Sequence, residues 1–448
     1  MGDSASYLRT AIEEYIPPDR SFVYGYIIRW IALPFHSLKP LLVAQGLAGM
    51  ISCAGLAICL KRYGTVNIGN DTCILMALLF AMEPMHMMFQ RYVLTEALTM
   101  PIFIGYLMAS LSYLKQRRLI QLGIAQVLGI ALISMRMIFL PLVLIHALML
   151  PLLMPRMRWR QALGHVATNL ILILVLHGGY CLFNGKLSKA PPAYTYWDGF
   201  VELSAWAPVV TVSTAANPQV AEIISRGSEY DLNKFARRYY QLWDDEGIVF
   251  RIKSIAPDLV TANRWAKITA RRAFAQDPAG VLRIALTTYI EFNTYDKIQN
   301  ELRIDRGDDR PVRKIVVKWL KEYFSADTYE FMEQGGEYWQ LPSLTKRIQD
   351  HSALWMLLLV QTPWLCLIAA VLYKDQRPVF LYLSAVCFIY MATVCFLTPL
   401  VITRLLYPLT IPFFLAVGWM IASVKLIPPK DSPRSHRDHG DKFMLSCM

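Results

Sequence analysis

The chain has 448 residues, of which 55% are hydrophobic and only 17% are charged, and its formal net charge is +12. Roughly a quarter of the residues of an ordinary soluble domain are charged. This composition therefore excludes an ordinary soluble protein. The basic residues are dispersed, and acidic and basic residues nearly balance over 185–352. A nucleic-acid-binding protein concentrates its basic residues on one face. The sequence therefore predicts an all-α polytopic membrane protein that contacts a lipid bilayer and no nucleic acid.

Residues 1–40 are predicted to form a first extracytoplasmic loop with an amphipathic helix. The stretch "DSASYLRTAIEEYI" has Leu8, Ala11, Ile12 and Tyr15 on one stripe at helical spacing. The residues "PPDR" end this pattern, and the aromatic-rich stretch after them suits a membrane interface. An exported N-terminus without a leading helix is unusual. We therefore expect a membrane helix upstream of this sequence.

Apolar stretches of near-spanning length follow. A bilayer core of about 30 Å requires about 20 helical residues. Six stretches predict six transmembrane helices in 41–184, and three more predict three in 353–424. The stretches are 41–60, 72–88, 97–114, 119–134, 137–154, 165–184, 353–373, 378–398 and 404–424.

Residues 185–352 are predicted to form a mostly helical extracytoplasmic domain, and 425–448 a cytoplasmic basic tail. Two long stretches of the domain have apolar residues at helical spacing, and Asp277-Pro278 marks a helix break. The aromatic residues of the domain favour a hydrophobic core, with a sugar-stacking surface as the alternative. They include Tyr194, Tyr196, Trp197, Trp206, Tyr239, Tyr240, Trp243 and Trp339.

Lysine and arginine predict the orientation in the membrane. They cluster at every second boundary between apolar stretches, as at 61–62, 115–118, 155–160, 374–377 and in the tail. Cytoplasmic loops carry such an excess. The N-terminus, 89–96, 134–137, 185–352 and 399–404 are then extracytoplasmic. We predict a multi-pass protein of the plasma (inner) membrane.

Several ionisable residues lie at the predicted extracytoplasmic ends of helices. Arg91 and Glu96 are five residues apart, which is not a spacing at which side chains meet on a helix. Ionisable groups inside a helix bundle are unfavourable unless they are paired or hydrated, so they are functional candidates. The alternative is that the arginines extend to the interface and Glu96 caps a helix. The candidates are Asp3 with Tyr7, Glu83, Arg91, Glu96, Arg136 and Arg404.

Acids beside arginines suit sugar transfer from a lipid-phosphate donor. The phosphate needs positive charge as the glycosidic bond breaks, and arginine can bind it through two parallel hydrogen bonds. The acceptor hydroxyl needs a carboxylate nearby to take its proton. The sequence thus predicts a glycosyltransferase that uses a polyprenyl-phosphate sugar donor. Its acceptor would be an extracytoplasmic protein, lipid or glycan.

Three motifs resemble the GT-C glycosyltransferases of the protein O-mannosyltransferase and aminoarabinose-transferase type. They are "GDSASYL", "QRYVLTEAL" and "TRLLYPLTIPFFL". The resemblance implies a GT-C-like helical bundle with Asp3 and Glu96 as catalytic acids. It implies donor-phosphate contacts from Arg404, Arg91 and Arg136, with Tyr7 and Glu83 in support. Ser4 stands where the family often has a second acid, so a divalent metal ion stays an open question.

Two other function classes fit the sequence. A membrane transporter or lipid flippase would place charges near the middle of the membrane on helices broken by glycine or proline. Gly178-Gly179 beside His177, and Pro408 with Pro412, are breaks of that kind. His146 and His177 are more simply read as hydrogen-bonded histidines inside the bundle. A non-catalytic membrane scaffold whose 185–352 domain binds a partner is the third class.

Overall fold

The computed structural model describes residues 2–64, 68–152, 159–226, 231–306, 314–325 and 351–424, and these residues form helices and no strands. The first nine helices are α1 (Gly2–Glu13), α2 (Val23–Ile31), α3 (Lys39–Tyr63), α4 (Asn70–Ala81), α5 (Pro84–Phe89), α6 (Glu96–Gln116), α7 (Leu119–Met135), α8 (Leu140–Met149) and α9 (Trp159–Ser188). The next eight are α10 (Asp198–Ala205), α11 (Pro218–Arg226), α12 (Arg238–Trp243), α13 (Ile248–Ile255), α14 (Leu259–Gln276), α15 (Pro278–Phe292), α16 (Tyr295–Arg306) and α17 (Lys314–Phe324). The last four described helices are α18 (Ser352–Val360), α19 (Thr362–Leu372), α20 (Arg377–Leu397) and α21 (Thr410–Val424).

Within the described residues, five helical segments are long and apolar enough to cross a bilayer, namely Lys39–Tyr63, Glu96–Gln116, Trp159–Ser188, Lys374–Leu397 and Thr403–Val424. The last two are α20 and α21 with the short helical turns that precede them. The pair α18 and α19, bent by 53°, is a sixth candidate. Shorter apolar helices are Val23–Phe35, Asn70–Ala81, Leu119–Met135 and Met137–Met149. The prediction of an all-α membrane protein is confirmed.

The apolar run at 72–88 is not one helix. α4 ends at Ala81, and α5 begins at Pro84, which has no N–H to donate inside a helix. The Glu83 carboxylate accepts a hydrogen bond from the backbone N–H of His86 and thereby caps α5. The charged residue that interrupts the apolar run therefore starts a new helix.

The connections between membrane helices gather at two ends of the bundle. At one end the Ser4 hydroxyl donates to the carbonyl of Val93 (3.0 Å). At the opposite end the Lys61 ammonium donates to the carbonyl of Ile68 (2.7 Å), and Gln376 donates to the Ser423 hydroxyl (2.6 Å). Assignment of the first end to the extracytoplasmic side stays a prediction of the positive-inside rule.

The helices of 185–352 pack into two different cores. Helices α10 to α14 build a core of their own around Trp197, Phe200 and Ile252. The apolar residues of α16 and α17, such as Ile298 and Trp319, lie in the core of the membrane helices instead. α15 joins the two, with Val281 in the first core and Phe292 in the second. Three of the eight described helices of 185–352, α15 to α17, thus contribute to the core of the membrane bundle.

The Asp277-Pro278 break lies where the sequence indicates it. α14 ends at Gln276, and the Asp277 carboxylate caps α15 by accepting from the backbone N–H of Gly280 (2.7 Å). Pro278 occupies the first turn, where its missing N–H has no partner to lose. This break turns the chain from the first core towards the second.

Candidate functional site

A cavity of about 860 Å³ lies between the membrane bundle and the helices of 185–352, α10 to α17, which we call the soluble helices. One wall consists of the segment 397–402 and Arg404, which connect the last two membrane helices. The facing walls come from α12, the end of α15 and α16, and from Asp19 and Arg20 between α1 and α2. The cavity is therefore lined by both the membrane part and the soluble part of the molecule.

Arg238, the first residue of α12, ties the soluble helices to the membrane wall of the cavity. Its side chain is 1% exposed. The guanidinium donates to the Thr398 carbonyl (3.3 Å) after α20 and to the Thr288 hydroxyl (3.1 Å) of α15. Burial lowers the pKa of Arg238 to about 10, so it remains a cation at neutral pH. A buried cation with partners on three elements fixes the shape of the cavity wall.

Other ionisable groups on the walls are arranged as acid–base neighbours. The Nε of Arg20 donates to the Asp19 carboxylate (2.9 Å). The Lys297 ammonium lies 3.6 Å from the Glu291 carboxylate across the α15–α16 turn. These pairs present cations for an anionic group and carboxylates for hydroxyl groups within one cavity.

A buried ion pair supports the segment that carries Arg404. Glu96 is the first residue of α6, where the partial positive charge of the helix N-terminus favours a carboxylate. Its side chain is 2% exposed and lies 3.4 Å from the guanidinium of Arg136. Arg136 also donates to the backbone carbonyl of Arg404 (3.4 Å). Arg404 lines the cavity, whereas Glu96 and Arg136 lie behind its wall.

Glu83 and Arg91 lie away from these residues. Both oxygens of the Glu83 carboxylate have partners, since one accepts from the His86 N–H and the other from the indole N–H of Trp355 on α18. Arg91 is exposed and does not line the cavity. The structure thus gives Glu83 a packing role between α5 and α18.

Tyr7 and Asp3 lie in α1, next to the cavity. Tyr7 is buried, packs edge-on against Tyr24 at 4.9 Å, and has the guanidinium of Arg20 over its ring at 5.7 Å. Asp3 is in the first turn of α1, and its side chain lies outside the described part of the structure. Ser6 of the same helix lines the cavity. α1 therefore borders the cavity that Arg404 lines.

The sequence did not indicate four of the charged residues at this site, namely Arg20, Arg238, Glu291 and Lys297. Arg238 follows Arg237 in "RRYYQLW", and only Arg238 is buried. Periodicity within one short helix does not distinguish such neighbours, because the partners of Arg238 come from α15 and the segment after α20. The "PPDR" stretch was a signal for Arg20, since two prolines end the helical pattern and place the charged pair in the connection between α1 and α2.

No group of three or more His, Cys, Asp or Glu side chains that could hold a metal ion is found in the described ranges. The Glu96 carboxylate faces the cation Arg136, which does not favour a metal ion beside it. Seven cysteines of the described helices are unpaired, and several are buried among apolar residues. No family model matches the chain, and neither a curated protein nor a solved structure matches it significantly.

Proposed function

We propose that the chain is an integral-membrane glycosyltransferase that moves a sugar from a polyprenyl-phosphate donor to an extracytoplasmic acceptor. The observation that carries the proposal is the cavity itself. Arginine on its membrane wall and carboxylates on its soluble walls face one space of about 860 Å³. A lipid-linked donor and a polar acceptor need a site that borders both the membrane helices and the soluble helices. The resemblance of the three sequence motifs to GT-C enzymes agrees with this proposal.

The guanidinium of Arg404 binds the donor phosphate at the end of the bundle while the polyprenyl tail stays in the bilayer. The acceptor oxygen forms a bond to the anomeric carbon of the sugar as the bond from that carbon to the phosphate oxygen breaks. The electron pair passes to the phosphate, where the guanidinium stabilises the added charge. The hydroxyl proton passes to a carboxylate. We assign this carboxylate to Asp3, whose helix borders the cavity.

Glu96 and Arg136 act on this reaction through Arg404. The ion pair holds the backbone carbonyl of Arg404 in place and so keeps the Arg404 guanidinium directed to one part of the cavity. Neither residue lines the cavity. Their role in the proposed reaction is therefore to position Arg404. This revises the sequence prediction that Glu96 is a catalytic acid and that Arg136 binds the phosphate.

Release of polyprenyl phosphate tests the proposal without knowledge of the acceptor. The full chain is reconstituted in liposomes with polyprenyl-phosphate mannose, glucose or arabinose, and polyprenyl phosphate is measured. We expect release by the wild type and a loss of about a hundredfold in Arg404→Ala and in Asp3→Asn. Asp19→Asn tests the other α1-side carboxylate of the cavity. Arg283→Ala, an exposed arginine of α15, is the matched control. Equal release by Arg404→Ala and the control would contradict the proposal.

The same liposomes separate a glycosyltransferase from a flippase. A flippase moves the intact donor between leaflets and leaves its glycosidic bond unbroken. Accessibility of the donor to an external glycosidase reports that movement. Movement of intact donor without release of polyprenyl phosphate would assign the cavity to transport.

A further inference from the structure

The described aromatic residues of 185–352 include a buried group and two exposed rings on the cavity wall, whereas Trp339 lies outside the described residues. Tyr196, Trp197 and Trp206 are buried, as a hydrophobic core requires. Tyr240 and Trp243 of α12 are 38% and 44% exposed, and both line the cavity. Aromatic rings that line a cavity together with charged groups are typical of ligand-binding sites.

Both rings are held in place by other side chains. Trp243 stacks on Trp197 of the soluble core, with ring centroids 6.1 Å apart and an angle of 25° between the rings. The guanidinium of Arg237 lies 5.2 Å from the ring centroid of Tyr240. Because Trp243 and Tyr240 are already fixed in this way, their side chains lose little additional conformational freedom when a ligand covers them.

A membrane interface is another common place for exposed tryptophan. Asp244, Asp245 and Glu246 follow Trp243 directly, and all three carboxylates would be strongly unfavourable near hydrocarbon. The Lys253 ammonium lies 5.0 Å from the ring centroid of Trp197, on which Trp243 stacks. The charged surroundings of Trp243 indicate that its ring faces water in the cavity.

We propose that the acceptor is a saccharide whose ring stacks on Trp243 and Tyr240. This inference rests on the proposed function, since it names the acceptor class of the same cavity. One face of a pyranose ring presents C–H groups, which pack on the electron-rich face of an aromatic ring. Its hydroxyl groups lie around the edge, where carboxylates and amides of the walls accept hydrogen bonds. Asn300 and Glu301 of α16 line the cavity and offer such groups.

Saccharide binding without any donor tests this inference. The full chain in detergent is applied to an array that carries defined oligosaccharides and, separately, unglycosylated peptides. We expect the wild type to bind saccharides. The affinity of Trp243→Ala for them should be lower by about tenfold or more. Trp243→Phe keeps a ring on Trp197 and should restore binding, which separates loss of stacking from misfolding. Trp159→Ala removes an exposed tryptophan outside the cavity and should bind as the wild type does.

Two results on the array overturn the inference. One is a wild-type chain that retains no saccharide or retains peptides alone. The other is saccharide binding that is the same in Trp243→Ala, Tyr240→Ala and the wild type.

The array and the liposome assay fail independently. Arg404→Ala should still bind saccharides, because Arg404 belongs to the donor side of the reaction. Saccharide binding by a chain that releases no polyprenyl phosphate would support the aromatic site and contradict the proposed sugar transfer. Release of polyprenyl phosphate by a chain that binds only peptides would support the proposed sugar transfer and contradict the aromatic saccharide site.

Discussion

Arg136 and Glu96 form a buried ion pair between the end of α7 and the start of α6, with 3.4 Å between the guanidinium and the carboxylate. They are far apart in sequence, whereas Arg91, which is closer to Glu96 along the chain, is exposed. Arg136 also contacts the backbone of Arg404. A change at Glu96 can therefore reach the cavity without any contact between Glu96 and a substrate.

Removal of one partner of this pair should destabilise the fold strongly. Arg136→Gln leaves the Glu96 carboxylate buried without its cation, and we expect a loss of about 3 kcal/mol in the free energy of unfolding. Glu96→Gln leaves the guanidinium of Arg136 unpaired and should have an effect of the same sign. The free energy of unfolding in bicelles is the measurement.

The double variant provides the control. Glu96→Gln with Arg136→Gln removes both charges, so it should be more stable than Arg136→Gln alone. Glu13→Gln breaks the exposed pair of Arg9 and Glu13 and should change the free energy by less than about 0.5 kcal/mol. Additive losses in the double variant would show that the two charges do not interact.

Arg238→Met should loosen the soluble helices from the membrane part. The substitution removes the hydrogen bonds to Thr398 and Thr288 and leaves a buried carbonyl without its donor. We expect a loss of about 3 kcal/mol and faster proteolysis within 190–240, with the membrane helices still protected. Arg238→Lys should not restore the wild type, because one ammonium cannot match the planar guanidinium. Unchanged proteolysis would assign the connection to other contacts.

Glu83 should matter for stability and not for sugar transfer. Glu83→Ala removes the cap of α5 and the acceptor of the Trp355 indole, so we expect a loss of about 2 kcal/mol. Trp355→Phe should cost about 1 kcal/mol more in the wild type than in Glu83→Ala, because the indole hydrogen bond is already absent in Glu83→Ala. The packing that Trp355 loses on Phe413 and Phe414 is common to both backgrounds. The rate of polyprenyl phosphate release per folded molecule should stay unchanged. A lower rate of polyprenyl phosphate release at an equal amount of folded protein would show that Glu83 contributes to the reaction.

Gly199 should not tolerate a methyl group. A Cβ at this position of α10 would lie 2.2 Å from the backbone oxygen of Asn263 on α14, so the two helices would have to separate. We expect Gly199→Ala to lose about 2 kcal/mol. At Gly46 no heavy atom lies within 4 Å of the added Cβ, so Gly46→Ala should be neutral or stabilising. Equal effects of the two substitutions would contradict this close packing.

Helix positions were largely predictable, because apolar spacing and prolines are local signals. The amphipathic pattern near the N-terminus became α1, and the Asp277-Pro278 break separates α14 from α15. Apolar spacing of this kind shows that one face of a helix such as α17 is buried but not what covers it. Trp319 packs with the membrane helices rather than with the soluble core, which only the full fold specifies.

The candidate site was predictable only in part. Glu96, Arg136 and Arg404 were identified because charges in apolar surroundings are conspicuous. Their pairing was not, since 40 and 268 positions separate Arg136 from its two partners. The aromatic residues of α12 were expected to be core, because sequence alone does not distinguish a buried ring from one that lines a cavity.

The division of 185–352 between two cores bears on how this protein can be cut for experiments. A fragment with these boundaries would carry α16 and α17 without the helices that cover Ile298 and Trp319, and the bare apolar faces would drive it to aggregate. A fragment that stops near residue 280 would lack Val281, which belongs to the core of α10 to α14, and both Thr288 and Thr398, which accept from buried Arg238. Crystallisation and studies of the cavity therefore both need the intact polypeptide in lipid.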